Sequence, residues 1–131
     1  MPTPRVWQVA ESAWQVRLPL PSVQAGVNVF VVRDRNGYEL VDTAIWSGDC
    51  LMGLQTSLES LGVSWPSIRE ILFSHFHPDH LGAAAEIRRR SGTPVRMPCR
   101  EAELVRPPGP KRKFLGEATE FLVEHGMPRT G

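Results

Sequence analysis

The chain has 131 residues, 41% of them hydrophobic and 22% charged, with a formal net charge of +1. That length suits one domain with a packed core, and a charge so near neutral gives no strong field for a nucleic acid or a membrane surface. The opening Met1-Pro2-Thr3-Pro4-Arg5-Val6-Trp7 lacks the apolar run of a secretory leader, and no stretch reaches the length of a membrane span, so a cytoplasmic protein is expected. Cys50 and Cys99 stand in no Cys-x-x-Cys pattern and read as reduced thiols rather than a disulfide.

Residues 5–9 and 14–18 read as short strands. Val27-Asn28-Val29-Phe30-Val31-Val32 reads as a strong one, because β-branched and aromatic residues fill it. Asn36-Gly37 marks a tight turn into a strand at 38–43, which makes a hairpin. A helix is expected over 47–62, with Leu51, Leu54, Leu58 and Leu61 on one face, Ser47 as N-cap and Gly62 as its stop. Ile68-Arg69-Glu70-Ile71-Leu72-Phe73-Ser74 reads as a buried strand. A helix at 82–90 ending at Ser91-Gly92, a short strand at 94–97 and a helical turn at 100–105 follow. Pro107-Pro108-Gly109-Pro110 breaks the chain. The basic run Lys111-Arg112-Lys113 reads as a solvated surface rather than a nucleic-acid contact. Residues 114–125 form an amphipathic segment with Phe114, Ala118, Phe121, Leu122 and His125 on one face, ended by Gly126 and Pro128. The four tryptophans (Trp7, Trp14, Trp46, Trp65) are expected to pack in the core or at its rim, with Trp46 a weaker candidate for a site mouth.

Between strand 68–74 and helix 82–90 stands His75-Phe76-His77-Pro78-Asp79-His80, which holds three of the chain's four histidines. Imidazoles and a carboxylate this close are ready ligands for a divalent metal, and a strand-to-helix loop holds side chains at one end of a sheet. The plain alternative, a surface loop that happens to be rich in histidine, is hard to reach by chance at this density. If residues 75–77 continue the strand, His75 and His77 share a side and converge on one ion. Pro78 helps to end the strand, and Asp79 and His80 then lie on the turn, placed for a second ion or for a water between two ions. Such ions lower the pKa of a bound water from 15.7 towards roughly 7. His125, the remaining histidine, reads as a last-turn helix residue favoured by the helix dipole, not as a ligand.

The segment His75-Phe76-His77-Pro78-Asp79-His80-Leu81-Gly82 resembles the His-x-His-x-Asp-His motif of the metallo-beta-lactamase-fold hydrolases, and more loosely their thioesterase and glyoxalase II-like branch. Tyr38-Glu39-Leu40-Val41-Asp42-Thr43-Ala44 is similar to the family's strand ending in Asp-Thr-Gly, with Ala44 in place of the glycine. The resemblance implies an α+β fold: half of a four-layer αββα sandwich, a mostly antiparallel sheet with helices on one face. It implies His75, His77, Asp79 and His80 as metal ligands, with two zinc ions in the intact protein and iron or manganese as alternatives. It further implies that Asp79 orients the nucleophile, and that Asp42 holds the metal loop by hydrogen bonds without binding metal. The implied activity is hydrolysis, by metal-bound hydroxide, of a small-molecule thioester, lactone or related carbonyl substrate. Two other readings are a non-catalytic metal-binding or interaction half-domain and a di-iron oxygen-dependent enzyme.

In that family a second half supplies a third histidine, a bridging aspartate and a last histidine, whereas this sequence has one histidine and no aspartate after Gly82. Sandwiches of this kind commonly need about 200 residues or more. The expectation is therefore that residues 1–106 are an N-terminal half and 107–131 a Pro-rich linker and helix leading to a missing C-terminal half. The fragment is expected to be inactive alone, and its uncovered sheet face is expected to invite self-association.

Overall fold

The computed structural model describes residues 3–20 and 23–105. The chain divides into two compact units, Met1–Pro98 and Cys99–Gly131. In the second, the described part is helix α4, Cys99–Val105. The Pro-rich break, the basic run, the amphipathic segment at 114–125 and His125 lie outside the described residues.

The first unit is built on a six-stranded sheet whose strands lie side by side in chain order, β1-β2-β3-β4-β5-β6. Strands β1 (Arg5–Ala10), β2 (Ala13–Leu20), β3 (Val23–Asp34) and β4 (Gly37–Val41) form an antiparallel meander. Asp34 accepts the Asn36 N–H at 2.6 Å and Gly37 takes φ +145°, so the chain reverses within two residues at the β3–β4 turn. Strands β5 (Ile68–Leu72) and β6 (Val95–Arg96) then add in parallel. Parallel neighbours need a crossover. Helix α1 (Gly48–Ser60) makes the first, and α2 (Pro78–Leu81) with α3 (Ala84–Ser91) makes the second.

Both crossovers bury their apolar sides against one face of the sheet. Leu51, Leu54 and Leu58 of α1 and Ile87 of α3 join Val16, Leu18, Val29, Val31, Leu40, Ile71 and Phe73 in a single core. Ser47 caps α1 by accepting the Cys50 N–H at 3.1 Å. Gly62 after α1 and Gly92 after α3 take left-handed φ of +72° and +68°, which ends each helix cleanly. On α3, the Arg89 guanidinium and, behind it, that of Arg90 hold the Glu86 carboxyl well below the usual carboxylate range, at about 2. Arg90 also reaches Gln55 of α1 at 2.9 Å and lies over the Trp65 ring, tying the two crossovers together.

The structure departs from the sequence reading in several places. Strand β3 runs from Val23 to Asp34 rather than over 27–32, because β2 pairs with it from Leu20 back to Ala13. The strand expected at 68–74 stops at Leu72, and residues 75–77 do not continue it. The helix expected over 82–90 is α3, Ala84–Ser91, and a separate helical turn, α2, lies before it inside the histidine loop. Trp14 and Trp65 pack against the core as expected, whereas Trp46 and Trp7 are 64% and 42% exposed. Both cysteines are free, Cys50 buried and Cys99 exposed. Among the described residues, no helix is long and apolar enough to cross a membrane.

Candidate metal centre

Three chain segments meet where β4 and β5 end side by side. The first is Asp42-Thr43-Ala44, just past β4. The ladder lasts one step beyond the strands, with the Asp42 N–H donating to the Leu72 carbonyl at 2.8 Å. There Asp42 turns to φ +63°, the left-handed region that a side chain with a Cβ rarely occupies. This turn brings its carboxylate over the end of β5. Oδ1 accepts the Ser74 N–H at 2.7 Å, taking a donor that would otherwise seek a strand partner, which is why β5 does not run on into the histidines.

The second and third segments are Ser74–His77 and the helical turn α2 that carries Asp79 and His80. Backbone bonds fasten α2 to the Asp42 loop. The His80 carbonyl accepts from the Thr43 N–H at 2.8 Å and from Thr43 Oγ1 at 2.6 Å, and the Ala83 N–H donates to the Ala44 carbonyl at 2.7 Å. Gly82 makes this closeness possible. A Cβ there would stand 2.5 Å from the Pro78 carbonyl oxygen and 2.7 Å from the Trp46 nitrogen.

Within this frame the His75 ring centroid lies 4.6 Å from that of His77 and 4.2 Å from that of His80. His80 Nδ1 lies 2.9 Å from Asp42 Oδ2, and its Nε2 lies 3.5 Å from Asp79 Oδ2. A carboxylate can only accept, so Nδ1–H of His80 points to Asp42, and Nε2 is the ring atom that faces Asp79 Oδ2. With a lone pair on Nε2, a cation can bridge the ring and the carboxylate. Zinc bonds of 2.0–2.1 Å in a tetrahedron set two ligand atoms roughly 3.3 Å apart, close to the separation found here. The donor set therefore fits a divalent ion.

One donor atom each from Asp42, His75 and His80 also lie within 4.8 Å of one another, which by distance alone would make Asp42 a ligand. Its hydrogen bonds argue otherwise. Asp42 is 5% exposed, and its two oxygens accept from the Ser74 N–H, Ser74 Oγ and His80 Nδ1. Three donors take most of the roughly four lone-pair sites of a carboxylate, and through them Asp42 fixes Ser74 and the His80 ring. Ser74 and the Thr43 hydroxyl are not among the site residues that the sequence points to. The available signal was a hydroxyl residue directly before His75 and directly after Asp42, two short polar side chains at the ends of adjacent strands.

Three convergent imidazoles, a nearby carboxylate and a buried aspartate at the ends of β4 and β5 make a candidate metal centre on an α+β fold. A model of the metallo-beta-lactamase superfamily matches residues 23–126, and the chain belongs to that superfamily. Solved structures agree in fold. A metallo-beta-lactamase family protein of Thermus thermophilus superposes with a TM-score of 0.75 at 23% identity, over 94% of this chain and 41% of that one. A subclass B3 metallo-beta-lactamase from a soil metagenome library gives 0.65 at 25% identity, over 79% of this chain and 37% of that one. A subclass B3 metallo-beta-lactamase of Bradyrhizobium japonicum gives 0.58 at 25% identity, over 71% and 33%. The chain thus spans 33–41% of the length of these structures.

Proposed function

We propose that the chain is the metal-binding N-terminal half of a hydrolase acting on a thioester, lactone or related carbonyl substrate. His75 and His77 would hold one divalent ion, zinc in the first instance, and Asp79 and His80 a second. When bound, such ions supply Lewis acidity that lowers the pKa of water from 15.7 towards roughly 7 and stabilises charge developing on a carbonyl oxygen. Asp79 is then both ligand and orienter of the attacking water. Asp42 fixes the His80 ring through Nδ1, and Thr43 fixes the His80 backbone, so that neither must be ordered when the ion or substrate arrives. The observation that carries this reading is the approach of His80 Nε2 to Asp79 Oδ2 at 3.5 Å, with the Asp42 carboxylate bonded to Nδ1 on the other side of the ring.

A catalytic zinc ordinarily has three protein ligands, and the described residues offer two to each ion in this scheme. The purified chain is therefore expected to bind zinc but to turn over none of a panel of thioesters, lactones and β-lactams. Elemental analysis after zinc loading and desalting tests the assignment. His75→Ala combined with His77→Ala should remove at least half of the bound zinc; an unchanged zinc content would sink it. Iron uptake with oxygen consumption would favour oxygen-dependent chemistry at the same residues.

A further inference from the structure

The hydroxyl of Ser74 stands between two groups of the site. Its Oγ lies 2.7 Å from Asp42 Oδ2 and 2.7 Å from His75 Nδ1. A hydroxyl has one proton to give, so only one of these contacts can be a donation by Ser74. If Ser74 donated to His75, its oxygen would face the Asp42 carboxylate with no hydrogen between them, two lone-pair-bearing oxygens at hydrogen-bond distance. Asp42 is buried and accepts only, so the Ser74 proton goes to Oδ2. The remaining contact must then be filled from the other side, by an N–H on His75 Nδ1. Its Nε2 is left with the lone pair.

We propose that Ser74 is a positioning residue that sets the tautomer of His75, relaying the acceptor character of Asp42 so that His75, like His80, keeps Nε2 free for a metal. Asp42 touches His80 directly but reaches His75 only through this hydroxyl. One buried carboxylate thereby orients two imidazoles on different segments, one of them through an intermediary. This rests on the reading of His75 as a ligand. The relay itself is a property of the protein without metal.

The test separates the two. In the full chain stripped of metal and held at about pH 8, where an ordinary imidazole is neutral, long-range proton–nitrogen NMR correlations report which ring nitrogen of His75 and His80 is protonated. Both should be Nδ1–H in the wild type. A wild-type His75 protonated at Nε2 overturns the relay without any variant. Ser74→Ala should let His75 populate the Nε2–H form while His80 stays Nδ1–H, and should weaken zinc binding by about 10-fold or more. Ser74→Thr, which keeps the hydroxyl, should restore both. An unaltered His75 tautomer in Ser74→Ala, or a threonine variant no better than the alanine, overturns the proposal. Wild-type protein that takes up no zinc, yet shows the tautomer change, would support the relay and remove the metal reading instead.

Discussion

Asp42 concentrates most of the site's physical cost and organisation in one residue. A left-handed backbone at a residue with a Cβ costs on the order of 1 kcal/mol, less at aspartate than at most residues because its short polar side chain can bond locally. Three hydrogen bonds, two from Ser74 and one from His80, offset that strain and depend on the carboxylate having no proton to give. Asp42→Asn isolates this last property. Asparagine keeps the size and tolerates the same φ, and its carbonyl can still accept the Ser74 N–H. Its NH2 group would then face Ser74 Oγ and His80 Nδ1 with donors where acceptors are needed. His80 should respond by taking the Nε2–H form, which puts a proton on the atom that the proposed site offers to an ion. The expected outcome is a native circular dichroism spectrum with zinc affinity, measured by chelator competition, reduced about 10–100-fold. Wild-type affinity in Asp42→Asn would show that the carboxylate is only a strand-end polar group. The sequence made Asp42 visible through its position after a strand, but not its backbone conformation. Nothing in Val41-Asp42-Thr43 announces a positive φ, because that conformation is selected by partners 32 and 38 positions away.

At the scale of elements, the histidine loop is held by packing as much as by hydrogen bonds. Helix α2 is only four residues long, too short to be stable by itself, and His77 at its N-cap makes no side-chain capping bond. It persists because its backbone docks on the Asp42-Thr43-Ala44 segment, with Gly82 as the contact point. Gly82 has an ordinary helical φ of −57°, so its requirement is for space rather than for backbone freedom. Gly82→Ala should therefore separate the two segments and cost about 1–3 kcal/mol, as overpacking does. It should also weaken zinc binding, because His80 would leave Asp42 behind. A urea midpoint indistinguishable from wild type would mean that the segments are not as tightly joined as the distances indicate. The helices were legible where periodicity and caps agreed: Ser47, the Leu51-Leu54-Leu58 stripe and Gly62 fix α1 unaided. The break between α2 and α3 was not, because Leu81-Gly82-Ala83-Ala84 has no residue that forbids a continuous helix. The Ala83 N–H bonds to Ala44 instead of continuing one helix, a choice made by tertiary contact.

For the molecule as a whole, the two faces of the sheet have different environments, and β5 displays this in consecutive residues. Ile71 lies on the helix-covered face and is fully buried, whereas Leu72 is 41% exposed. Leu72 pairs with Val41, and Val41 with Phe30, so a row of apolar side chains crosses the opposite face at the level where the site begins. The alternation along each strand could be read from the sequence, but Val27-Asn28-Val29-Phe30-Val31-Val32 and Ile71-Leu72-Phe73 are apolar on both parities or nearly so. Periodicity alone could not say which face the helices cover. That was decided by α1 and α3, whose leucines and Ile87 meet the parity of Val29, Val31, Leu40 and Ile71. Two truncations on one strand test the assignment. Ile71→Ala removes a branched side chain from the sealed core and should cost about 2–5 kcal/mol by urea unfolding. Leu72→Ala removes a side chain of equal size from a partly solvated face, where there is less burial to lose and no closed cavity to leave. It should cost under about 1 kcal/mol in this chain. Equal losses at the two positions would mean that Leu72 is covered in solution and that the open face of the sheet is not open.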